Sequence, residues 1–372
     1  MYLPSGGVND IVDAVESLAP GRLDRAMILL AEPSQPGVPE LIDALDARGI
    51  GFFGAVFPGL ISGRAQHQEG AIVQILPLIG EPAVLHLDPQ KEGWVGSPPD
   101  IPIGLKHPPT ICVLVDCLAD NISGLLVTLF NHYANSVHYF GAGAGNSGLR
   151  KEPSVFTREG IFRNAAVVAA TRLEATVRVR HGWSRASGPF VATRTHKNHI
   201  QELNWENAGA VYERLLEQDL TSPITQKNFF QATKGCPFGI DKEGQEDVVR
   251  DPIRITDKGE LVCLSDVPEN SVLHVLRGDP DSLVSAAAEA VEASEITAEM
   301  KLRACLVSDC YSRALMLGDD FSKELGAVAD RVEQSGCSCT PEGVLALGEI
   351  ASDGEQLPEF YNKTFVVGFL HE

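Results

Sequence analysis

Two short stretches decide the reading of this chain: Ile111-Cys112-Val113-Leu114-Val115-Asp116-Cys117 and Ala304-Cys305-Leu306-Val307-Ser308-Asp309-Cys310. Each is an apolar run that ends in Asp-Cys, with its two cysteines five residues apart. A short apolar run bounded by polar residues suits a buried strand, although periodicity alone leaves a buried helix open. The segments downstream of the two runs also match. Ile122, Leu125, Leu126, Leu129 and Tyr133 share a face at helical spacing, and Phe321, Leu325, Val328 and Val332 do the same. A glycine-containing segment comes next, residues 141–148 in one half and 343–354 in the other. Then Phe162-Arg163-Asn164 leads into Val167-Val168, and Phe360-Tyr361-Asn362 leads into Phe365-Val366. The same order occurs twice, about 195 residues apart, and predicts an internal duplication.

The expected fold is mixed α/β, in two related halves, residues 1–180 and 181–372, with the repeat boundary between 180 and 204. Each half is expected to be a mixed, largely antiparallel sheet covered by helices, because the strand runs are apolar enough to need cover on both faces. Helices are predicted over residues 39–48, with Pro39 in the first turn and Gly49 as the stop, over 206–216, and over 281–293 with Asp281 as a cap. Further strands are predicted at 26–30, 51–56, 165–170, 175–180, 259–264, 271–275 and 365–369. Residues 234–254, rich in Gly, Pro and charge, read as a long surface connection.

Composition narrows the function classes. The chain has 372 residues, 44% hydrophobic and 22% charged, which is ordinary for a globular protein large enough to hold a core without disulfides or metal. The formal charge of −20 opposes a phosphate-tracking surface, so neither nucleic acid nor an anionic membrane is an expected partner. No run of 18 apolar residues is present to span a bilayer. The opening MYLPSGGVND carries no basic residue and no apolar core of a leader, so the eight cysteines read as reduced thiols of a cytoplasmic protein.

Several motifs invite chemistry. Gly143-Ala144-Gly145-Asn146-Ser147-Gly148 spells G-x-G-x-x-G, but no amphipathic helix comes after it, so close backbone approach is the better reading than dinucleotide binding. Cys305, Cys310, Cys337 and Cys339 lack the knuckle spacing of a zinc site. Cys310 lies past a strand end, where a nucleophile would sit, but the sequence shows no base for it. His196 and His199 are three apart and would share a helix face, as exposed polar residues.

Three stretches resemble the FIST domain, a sensory module of bacterial signalling proteins and some F-box proteins. The first is Arg180-His181-Gly182-Trp183, followed by Thr193-Arg194-Thr195, Asn198, and Ile200 to Asn204 before a helix with Ala208 and Tyr212. The second is Gly259-Glu260-Leu261, then Val267-Pro268-Glu269-Asn270 and Gly278-Asp279. The third and most specific is Ser308 to Arg313, then Glu342 to Ile350, then Glu359 to Thr364. Residues 49–63 and 141–148 resemble the family's Gly-containing segments, but Phe53-Gly54-Ala55-Val56-Phe57 stands where the family has a Gly-Cys-Ser-like run. The resemblance implies a non-enzymatic sensor of a small, amino-acid-like metabolite that signals through a separate protein. One branch of the family binds haem and senses nitric oxide. An enzyme acting through Cys310 or Glu349 is the other class.

The expected pocket draws on Cys310, Arg313, Gly348, Glu349, Asn362 and Thr364. Arg313 comes just after a strand end and can present its planar fork to a carboxylate, from the ligand or from Glu349 as a structural pair. Gly348 lets backbone approach, and Asn362 and Thr364, two apart on a strand, point the same way. For haem, His181 is the first axial candidate, with Trp183 to pack on the porphyrin, and His138 beside Tyr139 is the second.

Overall fold

Strand Asp24–Ala31 runs parallel to Phe52–Phe57 on one side and antiparallel to Ala71–Pro77 on the other. Helix Val38–Asp46 makes the crossover that a parallel pair requires, and the hairpin Leu60–Ser62/Ala65–His67 precedes the return strand. This connectivity recurs with Thr110–Asp116, helix Ile122–Tyr133, His138–Ala144, hairpin Val155–Thr157/Gly160–Phe162 and Ala165–Thr171. It recurs again with Leu302–Cys310, helices Tyr311–Leu317 and Phe321–Gln334, Pro341–Ala346, hairpin Glu349–Ser352/Glu359–Tyr361 and Phe365–His371. The mixed α/β architecture therefore holds three such units. The computed structural model describes residues 1–18, 20–32, 37–88, 90, 93–216, 224–242, 246–352 and 356–372.

Each hairpin leaves its own unit. The first unit's hairpin pairs with the third unit's second strand (Leu60 opposite Val344), the third's with the second unit's (Glu349 opposite Ala142), and the second's with the first unit's (Val155 opposite Ala55). The exchange closes a cycle of three sheets, of six, seven and six strands. Their inner faces meet on one axis, where Met27, Leu29, Cys112, Leu114, Leu306 and Val344 line a void of about 20 Å³. Helices pack on the other faces: Val8–Ser17 and Val38–Asp46 on the first sheet, Ile122–Tyr133 on the second, Pro280–Glu292 and Phe321–Gln334 on the third.

One cross-strand row explains the fit. Ile28 lies between Val73 and Gly54, Val113 between Val168 and Gly141, and Val307 between Val367 and Gly343. The far neighbour of each glycine comes from another unit's hairpin: Phe156, Ile350 and Ile61. A Cβ at any of the three glycines would fall inside the van der Waals radius of the carbonyl oxygen of its opening-strand neighbour, Ile28, Val113 or Val307. The glycines let the exchanged hairpins dock.

This row corrects the sequence reading. It sets Val113 against Val307, so Asp116 corresponds to Cys310 and the Asp-Cys match lies one residue out of register. A one-residue slip exchanges the faces of a strand: Cys112 packs on the axis, whereas Cys305 packs beneath the helices. The Phe-x-Asn match slips equally, because Val168 answers Val367; the left-handed residue after the hairpin is Asn164 in one unit and Lys363 in the other (φ 48° and 55°). The sheets also do not divide at residue 180, because residues 60–67 complete the C-terminal unit's sheet and residues 349–361 the second unit's.

An inserted region runs from strand Ser184–Val191 to Val272–Arg277, with a core of its own around Tyr212, Phe229 and Phe238. The expected surface connection at 234–254 holds buried strands Phe238–Ile240 and Val248–Arg250 there. Three-residue strands are too short to show a period; Phe238–Ile240 pairs with Val248–Arg250 on one side and with the more distant Val272–Arg277 on the other. His196 and His199 face each other across a hairpin rather than along a helix. Asp279, not Asp281, caps helix Pro280–Glu292, accepting the Ser282 N–H at 3.0 Å.

Gly343→Ala is expected to destabilise by at least about 3 kcal/mol or to prevent folding, because the clash is with backbone. Gly326→Ala, on a helix where an added Cβ meets only Arg64 Nη1 at 4.0 Å, is expected to be stabilising by about 0.5–1 kcal/mol. Urea unfolding of the two variants checks the contrast.

Candidate functional site

Strand Leu302–Cys310 delivers Asp309 and Cys310 to the turn into helix Tyr311–Leu317, and helix Phe321–Gln334 folds back over that turn. Arg313 is fully buried there. Its Nε donates to both oxygens of Glu324 at 3.1 Å, its Nη2 to Glu324 Oε2 at 2.7 Å and to the Leu283 carbonyl, and its Nη1 to the His181 carbonyl at 2.6 Å. Asp309 Oδ1 lies 3.8 Å from Nε, and burial pushes the Asp309 carboxyl well above the usual range, next to the negative Glu324. The carboxylate that takes the Arg313 fork is thus Glu324, not Glu349 or a ligand, and the fork is fully used. The sequence pointed to a carboxylate partner, but only the fold-back of the helix decides which.

Beside this pair lies a second buried polar group. Lys363 Nζ reaches Asp251 Oδ2 at 3.1 Å and Ser312 Oγ at 3.1 Å, and Ser312 donates to Asp251 at 3.0 Å. The ammonium also sits 5.4 Å over the Trp183 ring and 5.8 Å over Phe230. Cys310 Sγ is 3.5 Å from Ser312 Oγ, and burial, reinforced by the nearby Glu349, pushes its thiol up to about 12. Cys310 is a dry, protonated thiol and not the thiolate that nucleophilic catalysis needs. Glu349 Oε2 accepts from Thr364 Oγ1 at 2.7 Å and from Thr364 N at 3.2 Å, while burial pushes its carboxyl up to about 8. Gly348 (φ 118°) leaves its Cβ position to the Phe360 ring, so the approach it permits is to a side chain. Asn362 is buried, with its Nδ2 on the Tyr361 carbonyl.

Behind this polar centre opens a cleft of about 1140 Å³. Thr364 and His181 reach it from the centre; Cys310, Arg313, Gly348, Glu349 and Asn362 do not line it. The charged walls went unread in the sequence. Strand Glu174–Arg180 runs along the cleft, with Val177 and Val179 packed on the core and Arg178 and Arg180 alternating with them. The insert adds Arg185, Asp241, Lys242, Glu246 and Asp247, and the exchanged hairpin adds Ser352, Glu359 and Tyr361. Arg185 is tied to Asp241 at 2.7 Å, Lys242 to Glu359 at 2.9 Å, and Arg180 lies 3.8 Å from Glu246. Arg178 donates only to main-chain carbonyls, Ala293 at 3.0 Å and Val177 at 2.9 Å, and pairs with no carboxylate among the described residues. The alternating basic strand was the one signal in the sequence that could have found this wall.

The residues proposed for haem do not fit it. His181 Nδ1 accepts the Trp183 N–H at 2.8 Å, which fixes the proton of the neutral ring on Nε2, the atom an axial bond would use. Burial holds the ring at about 4, and Trp183 is itself buried, with Lys363 over its face. His138 lies outside the cleft, 3.9 Å from Glu174. Among the described residues no group of three or more His, Cys, Asp or Glu side chains is placed to hold a metal ion. The 143–148 loop spends its amides within the fold, Gly145 N on the Val56 carbonyl at 2.9 Å and Ser147 N on Glu32 at 2.6 Å.

Glu349 makes stability depend on pH. Its folded value, about 8, lies above the unfolded one, so between roughly pH 4.5 and 8 the native state holds a proton that the unfolded state has lost, and stability falls as pH rises. Glu349→Gln removes this dependence. The stability advantage of the variant over the parent is expected to widen from pH 5 to 8 and then level, read by urea unfolding at several pH values.

No curated protein matches the chain. The sequence profile of the FIST N domain matches residues 26–206, the first two units and the start of the insert, and that of the FIST C domain matches residues 208–352, the rest of the insert and most of the third unit. FIST domains are sensory modules of signal transduction, and no helix among the described residues is long and apolar enough to cross a membrane. Together the two matches cover nearly the whole chain, which belongs to the FIST family.

Proposed function

We propose that this protein is a non-enzymatic sensor that takes a small amino-acid-like metabolite in the cleft of Arg178 and signals through a separate protein. The observation that carries this reading is the cleft wall itself. It is polar, it carries both signs of charge, and its Arg178 guanidinium has no carboxylate partner among the described residues. A zwitterion answers such a wall: its carboxylate meets Arg178 and Arg180, and its ammonium meets Glu246, which burial already pushes above the ordinary carboxylate range. Thr364 and His181 connect the cleft to the buried centre, so a ligand there bears on the elements that hold Glu349 and Arg313. The buried, protonated Cys310 supports a binding role over a catalytic one. The recurring connectivity of the three units supports descent by internal duplication.

Thermal-shift and calorimetric titration of the full chain against amino acids and their deaminated and decarboxylated analogues tests the reading. An amino acid should bind more tightly than either analogue, and Arg178→Gln should weaken it by about tenfold or more, as for loss of a charge-assisted hydrogen bond. A ligand whose affinity ignores Arg178→Gln would falsify this placement.

A further inference from the structure

A second cleft, of about 910 Å³, shares Asp241, Lys242, Val248 and Glu359 with the first. Its remaining wall is the insert loop 266–272 together with Thr195 and Lys197. Arg250, 5% exposed, stands in this wall. Its Nε donates to the Asp266 carbonyl at 2.7 Å, and its Nη1 to the carbonyls of Val249 at 3.1 Å and Phe360 at 3.2 Å. Those three bonds hold the guanidinium plane in place. No carboxylate lies within ion-pair distance of it among the described residues, and none of them accepts from Nη2.

A buried charge without a counter-charge is costly, and folded proteins nearly always pair one. The acids of this cleft are engaged elsewhere. Asp241 is bound to Arg185 at 2.7 Å and Glu359 to Lys242 at 2.9 Å. Glu269 accepts the Thr195 N–H at 3.3 Å; Asp266 is the exception, its carboxyl pushed upward by burial but acting on Arg250 and Lys197 from longer range. Lys197 adds a second cation, 3.8 Å from the exposed Asp120. Glu359 and Asp266 act on Arg250 only from beyond ion-pair distance, which leaves the Nη2 edge as the part of the guanidinium with no acceptor among the described residues. We propose that this cleft is a second ligand site, distinct from that of Arg178, which takes a small oxyanion, carboxylate or phosphate, on the Nη2 edge of Arg250, with Lys197 closing on it from the hairpin. The two Nη2 hydrogens are what the three carbonyls leave for the oxyanion.

Calorimetric titration of the full chain with succinate and with inorganic phosphate separates the two sources of oxyanion. At least one should bind at a single site. Lys197→Gln, an exposed change, should weaken it about threefold, in line with a partly screened charge. Arg250→Lys keeps the charge but loses the placed Nη2 edge, and should weaken it about tenfold or more. Arg178→Gln should leave the titration unchanged, which separates this site from the amino-acid cleft. Should Arg250→Lys fail to fold, Lys197→Gln decides. Absence of binding by either anion up to about 10 mM, or binding that Lys197→Gln leaves intact and Arg178→Gln removes, would overturn the proposal.

Discussion

Three glycines, each beside the β-branched residue of an opening strand, hold the architecture together. Gly54, Gly141 and Gly343 carry no Cβ because the neighbouring carbonyl occupies its place. The resulting flat patch receives Phe156, Ile350 or Ile61 from a hairpin that belongs to another unit. Each sheet is therefore finished by a neighbour, and no unit has a complete sheet of its own. The exchange also covers the edges of the second strands, where unpaired backbone groups would otherwise invite association with other chains.

The polar centre depends on that exchange. Glu349 sits on the third unit's hairpin, which is docked on the second unit, while Thr364, Cys310 and Arg313 belong to the third unit's own sheet and helix. The buried cations there are matched, Arg313 by Glu324 and two carbonyls and Lys363 by Asp251 and Ser312, whereas both oxygens of Asp309 and Oε1 of Glu349 accept no hydrogen bond among the described residues. Removing one partner of such a pair costs about 3–5 kcal/mol because the other is left buried and charged. The two ion pairs make the centre a fixed floor beneath the cleft walls.

Those walls come from three places in the chain: the basic edge strand Glu174–Arg180, the exchanged hairpin and the insert. The insert supplies a wall of both clefts. Its strand Val248–Arg250 lies against the hairpin strand Glu359–Tyr361, with Arg250 bonded to the Phe360 carbonyl, and the Lys242–Glu359 ion pair belongs to both clefts.

The order of residues alone sets the α/β character, the strands and helices with long apolar periods, and the family. Runs such as Thr110–Asp116 and faces such as Ile122–Tyr133 are local patterns, fixed by burial at period two or 3.6. The same order singles out Arg313, Glu349 and Thr364, because charge and hydroxyl groups beside apolar strands stand out. Their partners are chosen in three dimensions. Glu324 reaches Arg313 through a helix that folds back, and Asp251 reaches Lys363 from between two insert strands of only three and four residues. The first unit was hidden because Asp24–Ala31 shares no Asp-Cys with the others, and its likeness lies in a cross-strand row that no linear reading displays. The one-residue slip in the Asp-Cys match has the same origin: identity of letters runs along the chain, but which face a residue takes is settled by its neighbours across the sheet.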